Sequence, residues 1–409
     1  MSLIKKSIFN SLGSNYSWGF ALEAFGLLFK PKLELDADLE KNVIDKFGGQ
    51  AFFVYKGRDA IWLALKALGV GKGDEVLTQA FSCHAVEEAV TRTEAKPVFV
   101  DLAPGKLNPG INELKTAFDK SSNVKLVIIQ HTLGCPADIK EIASWCRENN
   151  LLLLEDLAQA VGGVDEEGQT LGSLADAVVL SFGRDKIVDC VAGGAVVLKT
   201  DEAVREAQTI YNQLPDLPKK VERVDLWYPV LTKIIRATHS IILGKVLLKL
   251  LRQRGWLKSP VWSPLPKAVQ LSPNLSYLAN RQLETLTEQI AHRRKIARIY
   301  TEHLSEISLQ SAAEIEQGSN LRFSIKVPDP TSLISCLKQH QIYVADRWYR
   351  APVDSGNLNL PSSYKEGSCS RAEKLTRLVL NLPTHQGVEV EDATRIVGLV
   401  NKWRQQHDG

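Results

Sequence analysis

The six cysteines of this 409-residue chain, Cys83, Cys135, Cys146, Cys190, Cys336 and Cys369, nowhere form a C-x-x-C pair. Their spacing excludes the common zinc sites and gives no disulfide framework. No metal site is expected, and reduced thiols in a cytoplasmic protein are. Charge of one sign is equally scarce. The balance of 50 Lys and Arg against 47 Asp and Glu leaves +3, which does not point to nucleic acid. No uncharged apolar run approaches the ~18–20 residues that span a bilayer. The opening MSLIKKSIFNSLGS has two lysines but no continuous apolar stretch behind them, so a secretory signal is not expected. Internal repeats and low-complexity tails are missing too. What remains is ordinary globular composition, 44% hydrophobic and 24% charged. The length suits two or three domains, or one large α/β domain with a smaller companion.

Residues 1–50 read as an N-terminal arm. The first 30 residues show no clean period, and ELDADLEKNVIDKF (34–47) looks helical. Over 51–214, helical stretches alternate with short apolar runs: Glu75–Thr78, Pro97–Val100, Val124–Ile129, Leu151–Leu154, Ala177–Ser181 and Gly194–Leu198. Runs such as VKLVIIQ and LLLLED are apolar on both faces, as in central strands covered by helices on both sides. The alternation predicts an α/β fold with a mostly parallel sheet. Ligands then bind at the carboxyl ends of the strands. Residues 215–267 form a basic, hydrophobic insertion that ends in a Pro-rich, extended connector. Residues 268–409 predict a long helix over Arg281–Leu304 and a small C-terminal α/β unit. That unit has LRFSIKV and LVLNLP as strands, and SLISCLKQH and EDATRIVGLVNKW as helices.

Polar residues just beyond the apolar runs are the candidates for chemistry. LLLL (151–154) ends in Glu155-Asp156, and AVVLS (177–181) runs into Ser181-Phe-Gly-Arg184-Asp-Lys186. A carboxylate at a buried strand tip needs a partner. Taken alone, Asp156 reads as a helix cap and Lys186 as a solvated loop lysine. Taken together, one helix-length segment apart, they can meet at one sheet edge. Pyridoxal phosphate requires that pair: an amine to carry it and an acid for its ring nitrogen. A lysine nucleophile also needs its pKa lowered by burial or by a neighbouring cation, for which Arg184 is the candidate. Gly57 and Arg58 open the helical stretch AIWLALKALG, where backbone N–H groups and the helix dipole favour a phosphate. The plain alternative is a helix capped by Asp59. Ser181 can add a hydroxyl to the same anion.

Several segments together resemble the DegT/DnrJ/EryC1/StrS aminotransferases, the sugar-aminotransferase branch of fold-type-I pyridoxal-phosphate enzymes. They are GRDAIWLALKALGVGKGDEVLTQAF (57–81), AKPVFVDL (95–102), HTLGCPADIKEI (131–142), LLEDLAQAVGG (153–163), SFGRDKIVDCVAGGAVV (181–197), QLETLTEQIAHRRKIARIY (282–300) and LNLPTH (380–385). The resemblance implies that Lys186 carries the cofactor and shuttles the proton, that Asp156 pairs with the ring nitrogen and that Gln159 approaches the ring hydroxyl. It implies that Ser181, with Gly57 and Arg58, holds the phosphate. It also implies a homodimer that moves an amino group from an amino acid, typically glutamate, to a keto-sugar, typically nucleotide-linked. Departures from the pattern occur at Arg58, where Thr or Ser is common, and at Cys83, where an aromatic is common. Either Cys83 or His84 can be the group stacked on the ring. Where the family draws an Asn from the neighbouring subunit, this chain has Ala268. A dehydratase and a non-catalytic relative are the alternatives; the retained Lys186 argues against both.

The insertion is the part that does not match. From Leu226 to Leu283 the chain carries no acidic residue. Lys245, Lys249 and Arg252 fall on one helical face and Leu243, Leu247, Leu250 and Leu251 on another. A basic amphipathic helix suits an anionic membrane surface, so residues 226–257 are a candidate peripheral membrane contact, with a lipid-linked substrate as a corollary. The plain alternative is a helix packed on its own dimer with solvated lysines.

Overall fold

The computed structural model describes residues 6–257, 265–345, 348–356, 358 and 360–407. The start of the Pro-rich connector, 258–264, lies outside them. The chain opens with β1 (Ile8–Phe9), α1 (Trp18–Gly26), α2 (Ala37–Phe47) and β2 (Gln50–Val54). Then come α3 (Gly57–Ala67), β3 (Glu75–Gln79), α4 (His84–Thr91), β4 (Lys96–Val100), α5 (Ile111–Asp119), β5 (Val124–Gln130) and α6 (Ile139–Glu148). Three strands follow, β6 (Leu152–Asp156), β7 (Ala177–Ser181) and β8 (Gly194–Leu198), and then α7 (Asp201–Tyr211).

These strands form one seven-stranded sheet in the order β2-β8-β7-β6-β5-β3-β4. It is parallel from β4 through β7, whereas β8 runs antiparallel to both β7 and β2. The expected α/β fold with a mostly parallel sheet is what is observed. The pleat sends alternate residues to opposite faces. Leu126 and Ile128 pack under α3, α4 and α7, while Val127 and Ile129 join the core that includes α1, α2, α6 and the later α10. Burial on both faces is why these strands are continuously apolar. The chain leaves β3 outward to β4 and returns to β5 on the other side of β3, so order reverses between β3 and β5. A crevice opens at such a reversal.

The insertion folds as α8 (Lys219–Thr238) and α9 (Leu243–Gln253). Its apolar residues divide differently from the expected faces. Leu247 and Leu251 are half-buried on the side of the buried Gly244, while Leu243, Val246 and Leu250 are exposed together. The helix expected over Arg281–Leu304 is two, α10 (Pro273–Glu284) and α11 (Leu286–Leu304), broken at Thr285. There the Thr285 hydroxyl donates to the Gln282 carbonyl and accepts from Gln289, and such side-chain bonds compete with the helical ladder. The C-terminal unit contains α12 (Ala312–Gln317), β9 (Arg322–Lys326), α13 (Pro330–Gln339), β10 (Ile342–Tyr343), α14 (Ser370–Leu378), β11 (Val379–Pro383) and α15 (Val390–His407). β9 and β11 pair antiparallel, and β1 from the far N-terminus pairs parallel with β10.

Candidate active site

The tips of β5, β6 and β7 and the first turn of α3 meet at the carboxyl edge of the sheet. Glu155 and Asp156 end β6, and the pleat turns them apart. Glu155 accepts from the Gly172 N–H at 2.8 Å and lies 3.0 Å from His131 Nε2, a structural pairing. Asp156 Oδ2 accepts from Gln130 Nε2 at 2.9 Å and Oδ1 from the Ala158 N–H at 3.0 Å. Gln130 is itself a polar residue ending a buried strand, a signal that the sequence reading passed over.

Lys186 lies in the turn after β7. Its amine sits 4.7 Å from the centre of the Trp348 ring. Burial pushes this amine below the ordinary lysine range; Cys83, Asp156 and Asp185 oppose that, and Arg322 adds to it. These influences place Cys83 and Asp156 in the electrostatic surroundings of Lys186. Among these influences the cation is Arg322. The Arg184 guanidinium is drawn to α8 instead, 3.4 Å from Asp225 and 4.0 Å above the Tyr228 ring.

Ser181, at the tip of β7, faces the start of α3. A Cβ built on Gly57 would lie 2.9 Å from Ser181 Oγ, and one on Gly194 would lie 2.8 Å from Gly57 Cα. Neither glycine can gain a side chain without filling this cradle. The first turn of α3 receives no side-chain cap from Lys56, whereas Ser17 and Asp36 cap α1 and α2. A helix start without a side-chain cap is where backbone N–H groups and the helix dipole favour an anion. Arg58 is ion-paired with Glu88 of α4, and the expected cap, Asp59, pairs instead with Arg92 at 2.6 Å.

Gln159 accepts from the Leu133 N–H at 2.7 Å and donates to the Tyr349 hydroxyl. Cys83 caps α4, its Sγ accepting from the Ala85 N–H at 3.5 Å. His84 turns away, its Nε2 donating to the Pro361 carbonyl at 2.9 Å. Of these two, the structure sets Cys83 near Lys186.

Two groups of residues were missed in the sequence. Trp348 and Tyr349 come from the C-terminal unit, on a segment tied to the edge of β3 by bonds from the Val353 N–H to Ala80 O and from the Asp354 N–H to Ser82 O, both 2.8 Å. Adjacent aromatics in an aperiodic stretch were the available signal. The other group is the N-terminal strap, residues 7–16. Asn15 Nδ2 donates to the Lys186 carbonyl at 2.6 Å, while its Oδ1 accepts from Arg293 at 2.8 Å. The Tyr16 hydroxyl donates to Asp189 at 2.5 Å. Nothing in the strap's composition marks this.

A strand-tip acid, a lysine of lowered basicity and a glycine-lined, uncapped helix start, gathered at the carboxyl edge of a mostly parallel sheet, are the arrangement of a fold-type-I pyridoxal-phosphate transferase. The chain belongs to the DegT/DnrJ/EryC1/StrS aminotransferase family, whose model matches residues 36–220 and 268–401 and leaves most of the insertion unmatched. It is thereby a pyridoxal-phosphate-dependent aminotransferase. The chain is 28% identical to a pleiotropic regulatory protein of Geobacillus stearothermophilus over 346 residues, 83% of this chain and 81% of that one. It is 30% identical to a GDP-perosamine synthase of Caulobacter vibrioides over 49% of this chain, a match spanning about half (53%) of that protein. Its fold matches the structure of NtdA from Bacillus subtilis with bound cofactor PMP, at a TM-score of 0.73 and 19% identity, over 97% of this chain and 85% of that one. The residues present fit the cofactor: amine, acid, hydroxyl and uncapped helix start are all at one edge, and the cradle is shaped by two glycines. Among the described residues no helix is long and apolar enough to cross a membrane, and no cluster of His, Cys, Asp or Glu could hold a metal ion.

Proposed function

We propose that this chain transfers an amino group from glutamate to a nucleotide-linked keto-sugar, as a homodimer, with Lys186 carrying pyridoxal phosphate. The observation that carries this reading is the meeting of Lys186, Asp156 and the Gly57–Ser181 cradle at one sheet edge. When bound, the cofactor's ring supplies an electron sink for the substrate carbon. Ser181 Oγ and the backbone of Gly57 and Arg58 hold its phosphate, and Asp156, fixed by Gln130 and the Ala158 N–H, holds its ring nitrogen in the protonated form. Burial keeps a larger share of the Lys186 amine neutral, as both a nucleophile and a proton carrier require. Cys83 would lie beside the cofactor, and Gln159, held by the Leu133 N–H and the Tyr349 hydroxyl, would approach the ring hydroxyl.

The nucleotide-linked acceptor draws support from the GDP-perosamine synthase relative. The donor and the dimer follow from the family resemblance. A second reading, an acceptor sugar carried on a lipid, is favoured by the basic, apolar surface of α9. A panel of nucleotide keto-sugars and a vesicle-borne keto-sugar, each with glutamate, separates them by product mass. The Lys186→Ala variant is expected to lose turnover by at least about 10²–10⁴-fold and to lose the borohydride-sensitive absorbance of lysine-bound cofactor. Retained turnover in that variant overturns the assignment.

A further inference from the structure

Exposed large apolar side chains are concentrated on one part of this molecule. Of the thirteen among the described residues, eleven lie within Trp18–Leu33 or Ile234–Trp256. Leu22, Phe29 and Leu33 on and after α1 are 59%, 72% and 89% exposed. On α9, Leu243, Val246 and Leu250 stand at i, i+3 and i+7 and share one solvent-facing stripe.

The two stretches are joined. Phe25 of α1 meets Trp227 of α8 edge-on at 4.9 Å, and the Lys233 amine lies 5.3 Å from the Trp18 ring. α9 is pressed against the end of α8 through Gly244, where a Cβ would lie 2.3 Å from the Ile235 carbonyl oxygen. That contact fixes which face of α9 turns outward. Beside the apolar stripe, Lys245, Lys249 and Arg252 are all exposed.

We propose that α1, α8 and α9 together form a surface that seats this enzyme on an anionic lipid bilayer. Charge decides between occupants. Residues 226–257 contain no carboxylate, and of the two acids of α8, Asp225 is buried against Tyr55 and Arg184 while Glu222, half-buried, accepts from Asn274. The one acid within 18–33, Glu23, is already engaged by Arg281 and the Tyr277 hydroxyl. A second copy meeting this surface through the same surface would set cation-rich faces together, with no exposed, unengaged acid on α8 or α9 to receive them. An anionic leaflet meets both requirements: it takes the apolar stripe into the acyl boundary and the basic side chains at its headgroups. Each basic side chain near such a leaflet raises partition about fivefold. Trp18 and Trp256, both partly exposed, belong to the residue type that settles at headgroup depth.

The test is co-sedimentation of the cofactor-loaded protein with phosphatidylcholine vesicles, with and without one-third phosphatidylglycerol, at low and high salt. The expected result is binding that requires the anionic lipid and falls as salt rises. Lys245→Glu/Lys249→Glu/Arg252→Glu should reduce it by more than about tenfold, and Leu243→Ser/Val246→Ser/Leu250→Ser should reduce it as well. Both sets alter exposed side chains, and each variant should keep the wild-type circular dichroism and sedimentation coefficient. No wild-type binding at low salt, or equal binding to neutral vesicles, overturns the proposal. So does dissociation of a wild-type oligomer by either variant, which would make this a contact between copies. The readout is partition and not turnover, so it stands or falls apart from the assigned reaction.

Discussion

Asp156 and Asp189 are both buried aspartates accepting several hydrogen bonds, yet they serve different ends. Asp156 faces the crevice, held by Gln130 and a backbone N–H. Asp156→Asn keeps the shape but removes the charge proposed to retain the cofactor's ring proton. Turnover should fall by orders of magnitude with the fold unchanged, as single-turnover kinetics beside a thermal melt will show. If rate and cofactor spectrum persist, Asp156 is structural. Asp189 instead ties the Lys186 turn to Tyr16 and to the N–H groups of Asp185 and Val191. Burial pushes its carboxyl up to about 6 from 3.8, against the pull of those bonds. With the folded value raised, its contribution to stability is fully present below pH 3.8 and is lost as pH rises through about 6. Other carboxylates titrate in that range, so the comparison is with Asp189→Asn. Relative to wild type, the variant should gain up to about 3 kcal/mol between pH 4 and pH 7, on top of a constant offset, in urea titrations at each pH. A flat difference would mean that Asp189 is ionised throughout.

At the level of elements, α8 is bound to the site by a buried carboxylate. Asp225 accepts from the Tyr55 hydroxyl at 2.7 Å and faces Arg184 at 3.4 Å. Tyr55 directly precedes Lys56, the uncapped start of α3, so the insertion braces the turn assigned to the phosphate. Asp225→Ala should cost about 3 kcal/mol, because it withdraws one member of a buried ionic group and leaves the others desolvated. Loss of cofactor affinity should accompany the lower melting temperature; a melting shift without it would confine Asp225 to packing. The strands of this region were legible in the sequence because burial on both faces makes them continuously apolar, and Ala177–Ser181 and Gly194–Leu198 have the bounds expected of them. The antiparallel course of β8 was not legible, since an apolar run carries no direction. α8 was obscured for another reason: its buried face mixes Asp225, Tyr228, Pro229 and Thr232 with aliphatics, so no apolar period stands out.

Across the whole molecule, the N-terminal strap joins three regions remote from one another in sequence. β1 pairs with β10, the Asn10 carbonyl accepts from Arg322, the Gly13 carbonyl accepts from Arg236 of α8, and Asn15 bridges Arg293 and the Lys186 turn. His385 Nε2 donates to the Phe9 carbonyl at 2.7 Å, while its Nδ1 accepts from the Gly387 N–H. Burial and the surrounding arginines Arg236, Arg322 and Arg293 hold this imidazole well below its ordinary pKa, in agreement with a neutral ring that donates from one nitrogen and accepts at the other. Deleting residues 1–16 would remove the Asn10, Gly13 and Asn15 oxygens that accept from buried Arg322, from Arg236 and from buried Arg293. The truncated chain should lose its cooperative melt in calorimetry, and wild-type melting would reduce the strap to an accessory. The same wiring bears on order of synthesis. The ribosome makes residues 7–16 well before their partners at Ile342–Tyr343 and His385. Domains usually fold as they leave the tunnel. Here the sheet can form early, but the strap can gain its β10 and His385 contacts only once those residues are out. A nascent chain that has not reached those residues therefore holds the Lys186 turn without its full clasp.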